Sequence, residues 1–433
     1  MNLRSCLKKL WNLKLSSLVS ILILGFPSVA QNTSTFENNV FQPSIKTVLL
    51  NPIAEQFSAP IITLNSDDQL LLQFDELKPF NENYQYTIVH CNANWHPSNL
   101  SVNEYINGIN VETIQGFSFS TNTFQKYVHY KVYLPSQNMK PRLAGNYAIK
   151  VFKNFNEEEL VLTRRFYVLD NKTEVSGNVK GATLVDSRFS KQEVDVNVNV
   201  NNLSIPNPFS DATLVIMQNT RTNPVINGLK PRFVNGSNFV YDYEETNLFE
   251  GGNEFRFFDT RSLRNIGVNI IQKTFDTLMK ATVRPETERG ATAYLQYPDY
   301  NGRRVIANND NKQENSIDYC KVLFTLKREN EYRAGQVYVF GELTDWKILP
   351  EFKMEYNKAI GAYQAEILLK QGFYNYQYVI LEGDGYIDQS YTEGNHFETE
   401  NDYLILFYNK NLLYDYDELV GMTRLNSRDL NKK

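Results

Sequence analysis

Along most of the chain, apolar and polar residues alternate with a period of two, the spacing that sends successive side chains to opposite faces of an extended strand. The clearest run is 194–200, VDVNVNV, in which four valines share one face while Asp195, Asn197 and Asn199 share the other. Similar runs fall at 70–74, 84–89, 127–134, 147–152, 165–169, 212–218, 254–258 and 336–340, separated by turn-forming Asn, Gly, Pro and Asp. Runs with helical spacing are few. The pattern predicts an all-β protein of stacked antiparallel sandwiches, each burying one face of two packed sheets. An outer-membrane barrel is the competing β architecture, but most of these runs are shorter than the ~9 to 11 residues that cross a bilayer, and the chain ends in NKK rather than an aromatic strand.

Residues 1–30 depart from the rhythm. Arg4, Lys8, Lys9 and Lys14 precede the apolar run 18–26, which ends in PSVA before Gln31. That is the layout of a cleaved export leader, with the mature chain starting at Gln31. No cysteine sits where a lipid could be attached after cleavage, and no second long apolar stretch follows, so the expectation is an exported chain that does not span a membrane.

A mature chain of roughly 400 residues divides into two to four domains of about 100–200 residues each, and three fits the turn-rich interruptions. The first boundary falls in DNKTEVSG, 170–177, and the second in the charged, Asn- and Gly-rich segment 285–316. The expected partition is a leader at 1–30, then sandwiches at 31–172, 173–285 and 286–433, with 285–316 either an ordered strap or a loose tether.

Composition sharpens this picture. Twenty-seven tyrosines and 27 phenylalanines against three tryptophans suit pleated sheets. The formal charge of −5 becomes more negative once the four leader cations are removed, which argues against nucleic acid as a partner. Outside the leader only Cys91 and Cys320 remain, far apart in the chain, and they read as two buried thiols rather than a disulfide framework.

Candidate chemistry concentrates in HCNANWHPSNL, 90–100. Two histidines and a thiol could in principle hold zinc, but the spacing matches no established ligand pattern. His90 shares a strand face with Tyr84, Tyr86 and Ile88, and Cys91 shares the opposite one with Thr87 and Val89, so the pair cannot converge on one ion. The structural alternative weighs more: a strand end, Trp95 plugging a sandwich edge, a turn at HPSN, and a short helix opened by the capping box of Ser101 and Glu104. No GxSxG or HExxH motif occurs. His129 is expected to face outward from its strand, and His396 lies in a loop. Asp384 and Asp388 could hold calcium, although the loop lacks an EF-hand cadence and a plain turn is the stronger reading. No metal or other cofactor and no small-molecule substrate is expected.

Two resemblances follow from longer stretches. VYVFGELTDW at 337–346, FKMEY, and YQAEILLKQGFYNYQYVILEGDG at 363–385 resemble early-set immunoglobulin-like sandwiches, which include glycogen-binding modules. The shared elements fall on Gly341, Leu343, Trp346, Gly372, Tyr374, Tyr376, Asp384 and Gly385. Leu343 replaces an aromatic of that pattern, and Gln377 stands where glucan binders often place lysine. This resemblance implies an immunoglobulin-like sandwich in the C-terminal third, which with the alternation elsewhere makes three consecutive immunoglobulin-like sandwiches the expected fold, and as an alternative function an exported module binding glycans through Tyr374, Tyr376 and Gln377.

HCNANWHPSNLSVNEYINGI, YVHYKVYLPSQNMKPRLAGNYAIKVF, DYCKVLFTL, VYVFGELTDW and KQGFYNYQY, in this order behind a leader, resemble the type IX secretion system plug proteins of Bacteroidota. LAGNY is a variant of that family's Ser-Gly-Asn-Tyr turn, with Ala144 in the serine position. The resemblance implies a non-enzymatic periplasmic subunit that closes the periplasmic mouth of a large outer-membrane β-barrel translocon when it is unoccupied. Residue type and loop position single out Trp95, His96, Asn99 and Tyr105 as contacts to that partner.

Overall fold

The computed structural model describes residues 36–311 and 313–429; the expected leader therefore lies outside the described residues. The first sandwich packs a sheet ordered Ile45–Pro52, Leu70–Glu76, Val128–Leu134, Gly116–Phe119 against one centred on Asn156–Leu169, Gly145–Lys153 and Tyr84–Cys91. Alternation sets its core: Leu70, Leu72 and Phe74 share it with Tyr84, Ile88, Tyr147 and Ile149, all buried. The opposite face of the same strands carries Gln73, Asp75, His129 and Lys131.

The second sandwich begins with Glu174–Gly181 and Lys191–Asn199. Val194, Val196, Val198 and Val200 are buried in its core while Asn197 is exposed, the division that VDVNVNV predicts. Its other sheet is ordered Val225–Leu229, Ala212–Gln218, Asp402–Asn411, Tyr416–Asn426, so two strands from the far end of the chain complete it. The third sandwich is built from Arg256–Asp259, Ile270–Phe275 and Met279–Val283 together with strands from Arg304–Ile306 through Ile387–Asp388.

The expected partition at 285/286 is therefore corrected. Phe258, Ile270, Ala281 and Val283 belong to the third core, and Tyr403, Ile405, Phe407 and Val420 to the second. The turn-rich composition of 285–316 suggested a boundary, but strand pairing follows apolar surface rather than linker composition. The part 285–311 of this segment is a strap fastened along its length: Arg289 Nη2 pairs with Glu393 at 2.6 Å, Tyr297 donates to Glu254 O at 2.9 Å, and Asn301 Nδ2 donates to Asp402 at 2.8 Å.

The returning strands explain how the first two sandwiches join. TLVIM, 213–217, and YLILFY, 403–408, are continuous apolar runs, the signature of strands covered on both faces. Leu214, Ile216, Ile405 and Phe407 point into the second core. Val215, Met217, Leu404, Leu406 and Tyr408 form a separate cluster with Ala93, Tyr167 and Leu169 of the first sandwich.

Candidate docking surface and the interfaces that support it

The stretch 90–100 proves to be a clamp between the first and second sandwiches. His90 packs edge-on against Tyr147 and Tyr416, with ring centroids 5.0 and 5.3 Å apart. Its Nε2 donates to Ala144 O at 3.3 Å and its Nδ1 accepts from Ser98 Oγ at 3.0 Å. Burial pushes its pKa down to about 4, which suits that neutral tautomer. Gly145 has φ +143°, and a Cβ there would lie 2.4 Å from His90 Nε2, so this turn needs glycine.

Cys91 lies on the other strand face with Phe36 and Ala148, and burial pushes its thiol up to about 12. Cys320 is likewise buried, free and pushed up to about 12 by burial. Asn92 Oδ1 accepts from Asp417 N at 3.1 Å, and Ala93 N donates to Asp417 Oδ2 at 2.9 Å, fastening the loop to the returning hairpin. Trp95 packs edge-on to Tyr167 at 5.4 Å with the Arg165 guanidinium 4.2 Å from its ring.

The four contact residues expected from sequence therefore divide. His96 and Asn99 are exposed, Trp95 is half-buried in the clamp, and Tyr105 is buried against His90 and Tyr147. Tyr105 is thus withdrawn from the surface, while Trp95 keeps part of its ring exposed. Tyr105 ends the short helix Val102–Tyr105, whose capping box has Ser101 N donating to Glu104 Oε2 at 2.6 Å, and that turn rotates its ring inward.

The remaining surface was missed by sequence. The turn joining the two returning strands carries Leu412, Leu413 and Tyr414, which are 60, 81 and 55% exposed. Asn411 Oδ1 accepts from the backbone N–H of Leu413 and Tyr414, which bends the chain and aims these side chains outward. Asp415 pairs with Lys410 at 2.8 Å, and Lys410 together with the neighbouring Asn99 holds its carboxyl below the usual range, so the apolar tip adjoins the His96–Asn99 loop. Phe209, 54% exposed, lies on the short helix Pro208–Asp211 beside Asp402–Asn411. The readable signal was NLLYDY, three large apolar residues in a turn, where exposure has to be explained by contact with something else.

The first and third sandwiches meet through ionic groups. Asp75 is fully buried and accepts from His129 Nδ1 at 2.6 Å, Tyr319 Oη at 2.6 Å and Lys370 Nζ at 2.5 Å. Burial works against ionising Asp75, but Lys370 and His129 overcome it and hold the carboxyl below its usual range. Burial likewise opposes the charge on His129, yet its contacts to Asp75 and Glu314 raise its pKa. Glu314 is lowered to about 2, first through His129 and then, against burial, through Lys131. His129 Nε2 lies 3.4 Å from Glu314 Oε1, an ionic contact without hydrogen-bond geometry. Around this cluster, Tyr127 donates to Ile317 O at 2.7 Å and Asp318 accepts from Phe124 N and Gln125 N. His129 does face away from its own core, but the third sandwich covers that face; its expected exposure is corrected accordingly.

The residues proposed for glycan contact are also corrected. Tyr374, Tyr376 and Gln377 are 1, 0 and 5% exposed. Tyr374 donates to Lys370 O at 2.5 Å, Tyr376 to Glu286 Oε2 at 2.6 Å, and Gln377 to Gln389 at 2.8 Å. The two rings fill the third core, and each hydroxyl is satisfied inside it. Asp384 and Asp388 accept from nearby backbone N–H groups in ordinary turns. Glu193, Asp195 and Asp242 converge with ligand atoms within 4.8 Å of one another, and Lys180 supplies the opposite charge at 2.6 Å from Asp195 and 3.1 Å from Glu193.

No helix among the described residues is long and apolar enough to cross a membrane. Among curated proteins, none matches the chain. A crystal structure of a hypothetical protein from Parabacteroides merdae is similar, with a TM-score of 0.86 and 31% identity over 90% of this chain and 99% of that one. Residues 45–170, which hold almost all of the first sandwich and the clamp, match the model for the first domain of the type 9 secretion system plug protein. The chain belongs to the type IX secretion system plug family.

Proposed function

We propose that this protein is a non-enzymatic periplasmic subunit that occludes the periplasmic opening of the outer-membrane β-barrel translocon while no cargo or partner fills it. It docks through the face formed by Leu412, Leu413, Tyr414, His96 and Asn99. The observation that carries this reading is the apolar tip: three large side chains held outward by a tight turn, bordered by polar loop residues, on a hairpin clamped to the rest of the molecule. An interface of apolar centre and polar rim gives specific contact, and a modest area keeps it reversible.

The chemistry of the nucleophilic and basic groups supports a role without catalysis. His90 is held neutral in an aromatic cluster, His129 is committed to an ion pair, and both thiols are buried with raised pKa values. Family membership supports the secretion context.

The test is co-purification from native outer membranes. The Leu412→Asp, Leu413→Asp double variant is expected to fold as the parent protein does and to lose the translocon from the purified complex. Undiminished recovery of the translocon would remove this docking face.

A further inference from the structure

The three sandwiches meet around a cavity of about 110 Å³ whose wall is unusually rich in guanidinium groups. Arg164 comes from the first sandwich and Arg303 and Arg304 from the third, while Thr220 and Thr222 come from the second; Glu342 and Asp345 are the acidic residues of the lining. Arginines gathered at a buried junction of an acidic chain call for an explanation, since an uncompensated buried charge is costly.

The pairing is incomplete. Arg164 is spoken for: Nη2 donates to Asp345 Oδ2 at 2.8 Å and Nη1 to Thr163 O and Asn39 O. Among the described residues, the one ion pair of Arg303 is with Asp402, at a long 3.6 Å. Arg304, with a side chain 8% exposed, has Nη2 3.1 Å from Val48 O and 3.9 Å from Asp345, and its buried Nε has no partner among the described residues. Glu342 uses Oε2 to accept from Arg304 N at 2.7 Å. Burial raises the pKa of this carboxyl, against the pull of Arg304 and Arg303. Positive charge and an orphaned donor are left on the cavity wall.

We propose that this three-way junction binds a small oxyanion, a phosphate or a carboxylate, on Arg304 and Arg303. The planar fork of arginine presents parallel N–H groups matched to the paired oxygens of both groups. The ligand supplies the missing negative charge, and because all three sandwiches line the cavity, its binding ties their arrangement together. This inference does not depend on the docking face or on plugging.

The experiment is calorimetric titration of the full mature chain with inorganic phosphate and, in parallel, with an N-acetylated dipeptide as its free acid and as its amide. The expected result is saturable binding of phosphate or the free acid, no binding of the amide, and a melting temperature that climbs with concentration of the bound anion. Phosphate alone would identify a free oxyanion as the ligand, and the free acid alone a chain terminus. Arg304→Ala and, independently, Arg303→Gln are each expected to weaken binding at least tenfold, and Arg304→Lys, which keeps the charge but loses the fork, less than Arg304→Ala. Absence of saturable binding of both anions to the unsubstituted protein would overturn the proposal, as would unchanged affinity in both Arg304→Ala and Arg303→Gln.

Discussion

The first sandwich touches its two neighbours in opposite ways. Against the second it buries apolar side chains: Ala93, Tyr167 and Leu169 meet Val215, Met217, Leu404 and Leu406, with a few hydrogen bonds such as Tyr408 Oη to Asn146 at 2.7 Å closing the edges. Against the third it buries charge, centred on Asp75, His129 and Lys370. An apolar interface of the first kind gains stability in proportion to area and is indifferent to pH. A buried ionic interface is specific in geometry, contributes little net stability over an apolar one, and collapses when one partner is removed. The contrast implies that the hairpin carrying the apolar tip rides on a permanent joint, while the third sandwich is held by a joint that responds to protonation.

The largest effect is expected where the ionic joint is broken on one side. Lys370→Ala removes one of the two cations that compensate the buried Asp75, leaving His129 alone, and should destabilise the protein by about 3–5 kcal/mol in chemical denaturation. Replacing both partners, Asp75→Leu with Lys370→Met, should recover most of that loss. If the double replacement is as damaging as the single one, the uncompensated charge is not the cause. At the apolar joint, Leu406→Ala should cost about 2–4 kcal/mol through the cavity it opens, with a cost that stays the same from pH 6 to 8.

A smaller effect separates the two joints by pH. His129 has a folded pKa above its unfolded value of about 6.5, so its stabilisation is complete below that value and is lost as pH rises through the higher folded one. Asp75 works in the other direction: its contribution is present above about 3.9 and is lost as pH falls through its depressed folded pKa. Stability measured upward from pH 6 should therefore decline in the parent protein, and His129→Gln should flatten that part of the curve. A slope that survives His129→Gln would assign it to another group.

Much of the fold could be read from alternation, because a period of two fixes which side chains share a face whatever the tertiary context. The valines of VDVNVNV and the strand 212–218 show this. What alternation leaves open is what covers each face. His129 has the parity expected of it, yet the third sandwich covers it, and the rings of GFYNYQY, offered as glycan contacts, lie in the core, where Lys370 O accepts from the Tyr374 hydroxyl and Glu286, some ninety residues away, accepts from those of Tyr376 and Tyr378. The return of 402–426 to the second sandwich was hidden for a similar reason. Its continuous apolar run announces two covered faces without naming the partners. Of the proposed docking face, the exposure of His96 and Asn99 followed from residue type and loop position, whereas NLLYDY signals an apolar turn without saying which loop it adjoins, and that comes only from Asp415 lying beside Asn99.

The smallest expected effect on stability belongs to the proposed docking face. Leu413→Asp lies on an exposed turn and should change the unfolding free energy by less than about 0.5 kcal/mol, so any functional loss it produces reports on contact rather than folding. The most direct measurement is the ion conductance of the purified translocon in a planar bilayer, with the protein added on the periplasmic side. The account predicts that the parent protein closes the open conductance and that Leu412→Asp, Leu413→Asp leaves it open at the same concentration. A conductance that the parent protein does not change, or that the double variant closes equally well, would contradict it.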